Sequence, residues 1–299
     1  MSKKNQYDIV FVGQMGMGTV VPFEGVPFVI LGSPVLFASI AASCVGKRIA
    51  VVTTISKKEE YLLEPMKKAG IDLYIQPGET AQYRVVFPNA NVDERQAFHV
   101  KGGSNIEKVP PFEPCLLHCC CMGPREAQMD LMRSLKARGF RLSVDMQGLM
   151  LQADRETGIV RLEDFPEKKE ILRMADFVKL DSKEAQALTG TDVLQDQAAI
   201  LEGWGSPETI ITSSGGVLAR SHGTTKYAKF SNRSTKGRMG RGDTVIGSYI
   251  ARRFDYPVED SLQFAGALAS IKMESVGPFA GSLEDVIERM GDSVPCQSI

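Results

Sequence analysis

The chain has 299 residues, 43% of them hydrophobic and 24% charged, enough for a large buried core arranged as one big α/β domain or two smaller ones. Its 35 basic residues nearly balance 36 acidic ones, for a formal net charge of -1, so no long-range field draws in nucleic acid or an anionic membrane. The polar opening at residues 1–6 and the short apolar run at 9–12 read as neither a leader nor a span, and the six cysteines form no spaced disulfide framework. The expectation is a reducing, cytoplasmic setting.

In chain order, residues 7–13 predict a strand, followed by an irregular Gly/Pro-rich stretch to Pro34 and an Ala/Ser-rich helix ending near Gly46. Residues 48–53 give the next strand, and a charged helical segment at 57–69 leads to another at 71–75. The alternating stretches 82–87 and 95–100 read as antiparallel strands joined around Asn89, Ala90 and Asn91. That hairpin would make a lid whose Tyr83, Arg84 and His99 cover a substrate. Strands at 115–121, 141–145, 177–180 and 209–212 then alternate with helical patterns, before a late hairpin at 217–220 and 226–230. Leu262, Ala265, Ala269 and Met273 share one face of a C-terminal helix. This rhythm argues for an α/β fold, a doubly wound, mainly parallel sheet flanked by helices. It reads as a single domain over 1–299 with a small β lid around 14–33 and 78–103.

Two local patterns invite sites that the spacing does not support. His118 and Cys119 to Cys121 suggest a metal, but consecutive strand residues point to opposite faces, and core packing suits small apolar thiols better. Gly13, Gly16 and Gly18 follow a strand without the G-x-G-x-x-G spacing of a dinucleotide site, and no P-loop occurs.

The most informative run is Thr235-Lys236-Gly237-Arg238-Met239-Gly240-Arg241-Gly242-Asp243-Thr244, followed by helix-spaced Val245, Ile246, Tyr249 and Ile250. Glycines allow a turn that side chains would block, and the first amides of a helix point unpaired N–H groups at an approaching anion. Asp243 then sits where a substrate hydroxyl could lose its proton, which suits phosphoryl transfer; read alone, it could instead simply cap the helix.

Gly240-Arg241-Gly242-Asp243-Thr244 resembles the G-A-G-D-T core of the D-T-x-G-A-G-D signature of ribokinase-like (PfkB-type) carbohydrate kinases. The resemblance implies that Asp243 is the catalytic base and that Gly240, Arg241 and Gly242 form the anion hole with it. Upstream, Lys179-Leu180-Asp181-Ser182-Lys183-Glu184 and the residues to Gly190 are similar to the family's N-x-x-E-a-x-x-L-x-G segment, with Asp181 in place of asparagine. Asp181 and Glu184 are thereby expected to hold Mg2+ through water, although the same pair would also make a helix capping box. Thr212 to Val217 is similar to the T-x-G-x-x-G nucleotide turn, one residue short and with Ser214 at the middle glycine. Lys179, Asp181, Thr212, Ser214 and Gly216 are therefore expected to contact ATP. Ala265 to Met273 resembles the alanine-rich helix against which adenine lies, adding Ala269 and Met273; the pattern alone would mean close helix packing.

The acceptor side departs from the family. Its glycine pair and sugar-binding asparagine fall at Gly32-Ser33 and Phe37, while Gly237-Arg238-Met239 replaces D-T-x and Arg241 replaces alanine. The expected acceptor contacts are Gly32, Phe37, Arg84, Asp145 and Arg238, with both arginines beside the phosphate path. This G-R-x-G-R-G-D-T form looks like a divergent bacterial branch partly linked with myo-inositol catabolism, which makes myo-inositol one candidate acceptor. The resemblance implies an ATP- and Mg2+-dependent kinase for a small hydroxylated molecule, with a homodimer through the lid edge as a further expectation. Two alternatives stay open: a nucleoside- or pyridoxal-type kinase with Phe37 stacked on a planar acceptor, and a catalytically silent binding module on the same fold.

Overall fold

In a computed structural model that describes residues 6–90 and 94–299, β1 (Ile9–Val12) is apolar and buried on both faces, as a central strand of a parallel sheet should be. A hairpin of β2 (Gly16–Val21) and β3 (Phe28–Leu31) follows, then α1 (Pro34–Ser43), β4 (Ile49–Ile55), a 3-10 turn into α2 (Glu64–Lys68), and β5 (Asp72–Pro77). β6 (Ala81–Val86) and β7 (Gln96–Lys101) form the second hairpin; Asn91 of its expected turn lies outside the described residues, as does the opening at 1–5. Next come β8 (Leu116–Cys119), α3 (Arg125–Ala137), β9 (Arg141–Asp145), α4 (Gln147–Met150), β10 (Leu151–Ala153) and β11 (Ile159–Leu162). The last part holds α5 (Lys168–Met174), β12 (Phe177–Asp181), α6 (Ser182–Thr189), α7 (Leu194–Gly203), β13 (Glu208–Thr212), β14 (Gly216–Ser221) and β15 (Thr224–Lys229). It ends with α8 (Arg241–Arg252), α9 (Val258–Met273), α10 (Leu283–Asp292) and β16 (Gln297–Ser298).

The main sheet has the order β16-β15-β14-β13-β12-β9-β8-β1-β4-β5. From β13 to β5 neighbours run parallel, and β14 to β16 add an antiparallel edge. Side chains alternate between two cores. Phe11, Val51 and Phe177 face Leu36 of α1, Tyr249 of α8 and Ala265 of α9, while Val10, Leu117 and Val178 face Met132 of α3, Ile171 of α5 and Leu201 of α7.

Two contacts fix α8, the helix that carries Asp243. A Cβ at Gly247 would collide with the carbonyl oxygen of Ala38, so only glycine lets α1 lie this close. At the other end, buried Glu208 of β13 accepts from Tyr249 Oη at 2.6 Å and from Arg253 Nε and Nη2 at 2.9 and 3.1 Å.

The second sheet, of order β10-β11-β7-β6-β2-β3, takes in the strands of the segments expected to form a lid. The stretch that reads as irregular before Pro34 is its β2–β3 hairpin, with glycines at 16 and 18 hiding the period of two; a Cβ at Gly18 would press within 3.2 Å of Ile30 Cγ1. The short β10–β11 hairpin extends this sheet beyond the expected segments and has no clear signature in the sequence. β8 stops at Cys119, and Cys120 and Cys121 lie buried just past its end. Among the described residues no three His, Cys, Asp or Glu are grouped to hold a metal ion, and no helix is long and apolar enough to cross a membrane.

Candidate active site

The chemistry-bearing residues gather at the carboxyl ends of β9, β12 and β13, where open α/β sheets place their ligands. Register does the gathering: Lys179 pairs with Asp145, and Asp181 pairs with Thr212. Lys179 Nζ donates to both oxygens of Asp145, at 3.2 and 3.1 Å, and both residues are 3% exposed. Burial alone would favour a neutral lysine. Asp145, then Glu184, Asp243 and Asp181, overcome it and hold Lys179 charged, above the ordinary lysine range.

The expected capping box is present at α6. Asp181 Oδ1 accepts from the amides of Lys183 and Glu184 at 2.9 and 2.8 Å, and Glu184 Oε2 accepts from the amide of Asp181 at 2.7 Å. This leaves Asp181 Oδ2 turned outward, 3.9 Å from Arg95 Nη2. Glu184 is buried, and that burial, countered by Lys179 but reinforced by Asp181 and Asp145, pushes its carboxyl up to about 8. A centre with more carboxylates than buried ammonium groups suits a divalent cation. With no three-residue cage here, Mg2+ would complete its shell from water and substrate phosphate, with Asp181 and Glu184 beside it.

Above this centre the glycine loop turns into α8. Gly240 is the N-cap, in the left-handed region at φ 81°, where a Cβ would also strike the Phe37 ring. Asp243 is therefore not the cap; its carboxylate is free of that duty and sits in the first turn. Thr244 N–H reaches back to Gly240 O at 2.9 Å, so the amides of Gly242 and Asp243 precede the first helical bond and have no helical acceptor. A Cβ at Gly242 would come within 2.8 Å of Lys179 Cε and 2.9 Å of Nζ, so glycine there lets the helix start rest on the lysine. Burial pushes the Asp243 carboxyl up to about 6; Lys179, Lys272 and Arg95 pull it down, and Asp145 pushes it further up. Such a carboxylate is a stronger proton acceptor than a surface aspartate.

Two residues that sequence reading passed over complete the site. Arg95, just before β7, brings a guanidinium from the second sheet to Asp181 and Asp243. Lys272, in the last turn of α9 and 1% exposed, donates to the carbonyls of Gly237 and Met239 and lies 4.8 Å from the Phe37 ring centroid. A lone arginine at a strand start and a lysine in an apolar helix carry no spacing signal.

The other expected contacts are more dispersed. Phe37, 3% exposed, packs its ring against Gly240 beneath Lys272 and offers no open face for a planar acceptor. Gly32 follows β3 with its amide on Gly16 O at 3.3 Å, and exposed Arg84 stacks on Phe98, 4.7 Å from the ring centroid. Arg238 and Arg241 are half-buried, the latter 5.8 Å from the Phe230 centroid. Thr212 is 1% exposed with Oγ1 near Gly242, and Ser214 is exposed at the turn after β13. At Gly216 a Cβ would meet Ala228 and the Tyr227 hydroxyl, so Tyr227 occupies this turn.

Ala269 and Met273 are 0% and 2% exposed. The segment before α8 is pinned onto the end of α9: Gly237 N–H donates to Met273 O at 2.8 Å, Arg233 N–H to Glu274 Oε1 at 3.0 Å, and Ser231 N–H to Ser270 Oγ at 2.9 Å.

The pfkB family carbohydrate kinase model matches residues 150–285. Cytidine kinase of Thermococcus kodakarensis is 24% identical over 253 residues, 82% of this chain and 87% of that protein. Among solved structures, a pyrophosphate-dependent kinase in the ribokinase family, in complex with sulfate, has a TM-score of 0.84 at 24% identity, covering 93% of this chain and 99% of that one. A pyrophosphate-dependent kinase of the same family, with a pyrophosphate analog and myo-inositol, gives 0.81 at 23% identity and covers 94% and 99%. Ribokinase of Arabidopsis thaliana, with ribose and ATP, gives 0.74 at 16% identity and covers 95% and 98%.

Proposed function

We propose that this chain, which carries a pfkB-family carbohydrate kinase domain on a ribokinase-like fold and is a phosphotransferase with a hydroxyl acceptor, takes its phosphoryl group from pyrophosphate and gives it to a cyclitol such as myo-inositol. Asp243 accepts the hydroxyl proton, and the amides of Gly240, Gly242 and Asp243 receive the charge that develops on the transferred group, the Arg241 amide being bonded to Arg238 O. Lys179 keeps the neighbouring carboxylates in place while the donor binds. Magnesium, held through water by Asp181 and Glu184, would neutralise phosphate charge when bound.

The donor assignment rests on one observation: the α9 face on which adenine would lie is filled. Ala269 and Met273, 0% and 2% exposed, lie in the core cluster with Val245 and Tyr249 of α8, and the loop before α8 is bonded directly to the end of α9. A planar base would have to break those bonds, whereas a diphosphate needs only the helix start and the cation site. The two similar pyrophosphate-dependent kinases support the same reading, and the myo-inositol complex supports the acceptor. A nucleoside acceptor is the second reading, favoured by the cytidine kinase match.

The test pairs pyrophosphate or ATP with myo-inositol, ribose, cytidine and other polyols, with Mg2+, beside the Asp243→Asn protein. Phosphorylated myo-inositol formed from pyrophosphate but not from ATP, and absent with Asp243→Asn, is the expected result. Comparable kcat/KM with ATP overturns the donor assignment. Transfer to cytidine alone overturns the acceptor, and no transfer with any pair overturns the kinase reading.

A further inference from the structure

Lys272 is buried, yet its donors go to the backbone carbonyls of Gly237 and Met239, while the face of Phe37 lies 4.8 Å away. Carbonyl oxygens and an aromatic face around a desolvated positive charge form the kind of shell that takes a potassium- or ammonium-sized ion out of water. Burial disfavours the charged form of Lys272 and brings it down to about 8; the Asp243 carboxylate is the charge that opposes this. The ammonium and the catalytic carboxylate therefore sense each other across the glycine loop.

The geometry also gives the ammonium a task. In a trans peptide the carbonyl and the following N–H point in opposite directions, and no peptide bond among the described residues is cis. Drawing Met239 C=O towards Lys272 therefore turns the N–H of Gly240, the α8 N-cap, away from Lys272. Gly237 C=O is drawn in beside it, while the Arg238 N–H is closed onto Thr235 O at 3.0 Å. The loop that meets the phosphate is held in shape from behind.

We propose that the Lys272 ammonium is a tethered monovalent cation that positions the anion-hole peptides, so that turnover needs no added potassium or ammonium. Lys272 is a positioning residue in this scheme, acting through the 237–240 backbone, and the inference rests on the kinase reading above. Deleting its side chain opens a carbonyl-lined cavity into which a free cation of the same size fits.

The experiment measures phosphoryl transfer from pyrophosphate, and from ATP in parallel, to the acceptor panel in tetramethylammonium buffer. Wild type, Lys272→Ala and Lys272→Met are each assayed with and without KCl, NH4Cl or methylammonium chloride. Wild type should change less than about twofold with any of these salts. Lys272→Ala should lose about 100-fold in kcat, the scale of one misplaced anion-hole donor, and recover about tenfold or more with ammonium or potassium. Lys272→Met, whose side chain fills the cavity, should stay low in every salt. Strong potassium activation of wild type overturns the proposal. So does a folded Lys272→Ala protein that keeps full activity, or one that is slow and unmoved by every cation. If Lys272→Ala does not fold, the wild-type salt response still decides. Failure of the kinase reading is distinguishable, because wild type would then show no transfer in any buffer.

Discussion

Lys179→Met tests whether the site is built on one lysine. Methionine keeps most of the apolar stem but removes a positive charge surrounded by Asp145, Glu184, Asp243 and Asp181. Asp145, bonded to it through both oxygens and 3% exposed, is left as a buried and uncompensated carboxylate. Breaking a buried pair from one side costs about 3–5 kcal/mol while the carboxylates are ionised. For 299 residues, a melting entropy of about 2.1 cal/mol/K per residue gives about 0.6 kcal/mol/K, so the melting temperature should fall by about 5–8 °C.

The pH dependence carries the sign. Glu184 is already pushed above the ordinary carboxylate range, and losing Lys179 removes the group that pulls it down. A carboxyl whose folded pKa exceeds its unfolded value keeps a proton that the unfolded chain releases. Its stabilisation is full below the unfolded pKa and is lost as pH rises through the folded one. The variant should therefore lose most against wild type near pH 8.5 and clearly less near pH 5.5, as read by thermal or urea midpoints at both values. An equal loss at both pH values, or none at either, would refute the charge argument.

Three further outcomes follow from the same geometry. Asp243→Asn should lower kcat by about 10²–10⁴-fold while leaving donor affinity nearly intact, measured by steady-state kinetics and calorimetry. In wild type, kcat should rise with pH through about 6 and then level, because the base must be unprotonated; a rate flat down to pH 5 contradicts Asp243 as base. Gly247→Ala places a methyl against the Ala38 carbonyl and should destabilise by about 1–3 kcal/mol, a drop of a few degrees in a thermal scan; an unshifted melting point would mean α1 and α8 part freely.

The sheet was legible because its central strands are short, largely buried runs, and residues 9–12, 141–145, 177–180 and 209–212 stand out between helical patterns. The second sheet was half legible. β6 and β7 alternate visibly, whereas β2 carries glycines where side chains would mark the period, and β10 and β11 are too short to show one. In the site, Asp243, the glycines and the Asp181–Glu184 pair are local in sequence and could be read from spacing. Lys272 lies 33 residues beyond Met239, its backbone partner, and Arg95 reaches Asp181 from another sheet, so only the fold brings them in. Ala269 and Met273 show the opposite difficulty: apolar residues on a helix face announce a close neighbour without saying whether it is a ligand or, as here, the protein's own core.

The charge balance at the centre bears on what can bind. Asp145, Asp181, Glu184 and Asp243 stand against Lys179, with Lys272 and Arg95 at the periphery. A diphosphate entering between α8 and α6 meets two free amides and one arginine, but also the outward oxygen of Asp181 and the Asp243 carboxylate. At short range in a partly dehydrated cleft, those carboxylates repel it by more than two amides attract it. Donor binding should therefore be strongly coupled to a divalent cation, and that dependence should weaken in Asp181→Asn through the loss of one repulsive charge. A donor affinity for the wild type that is the same with and without Mg2+ would mean that the phosphates do not pass between α6 and α8.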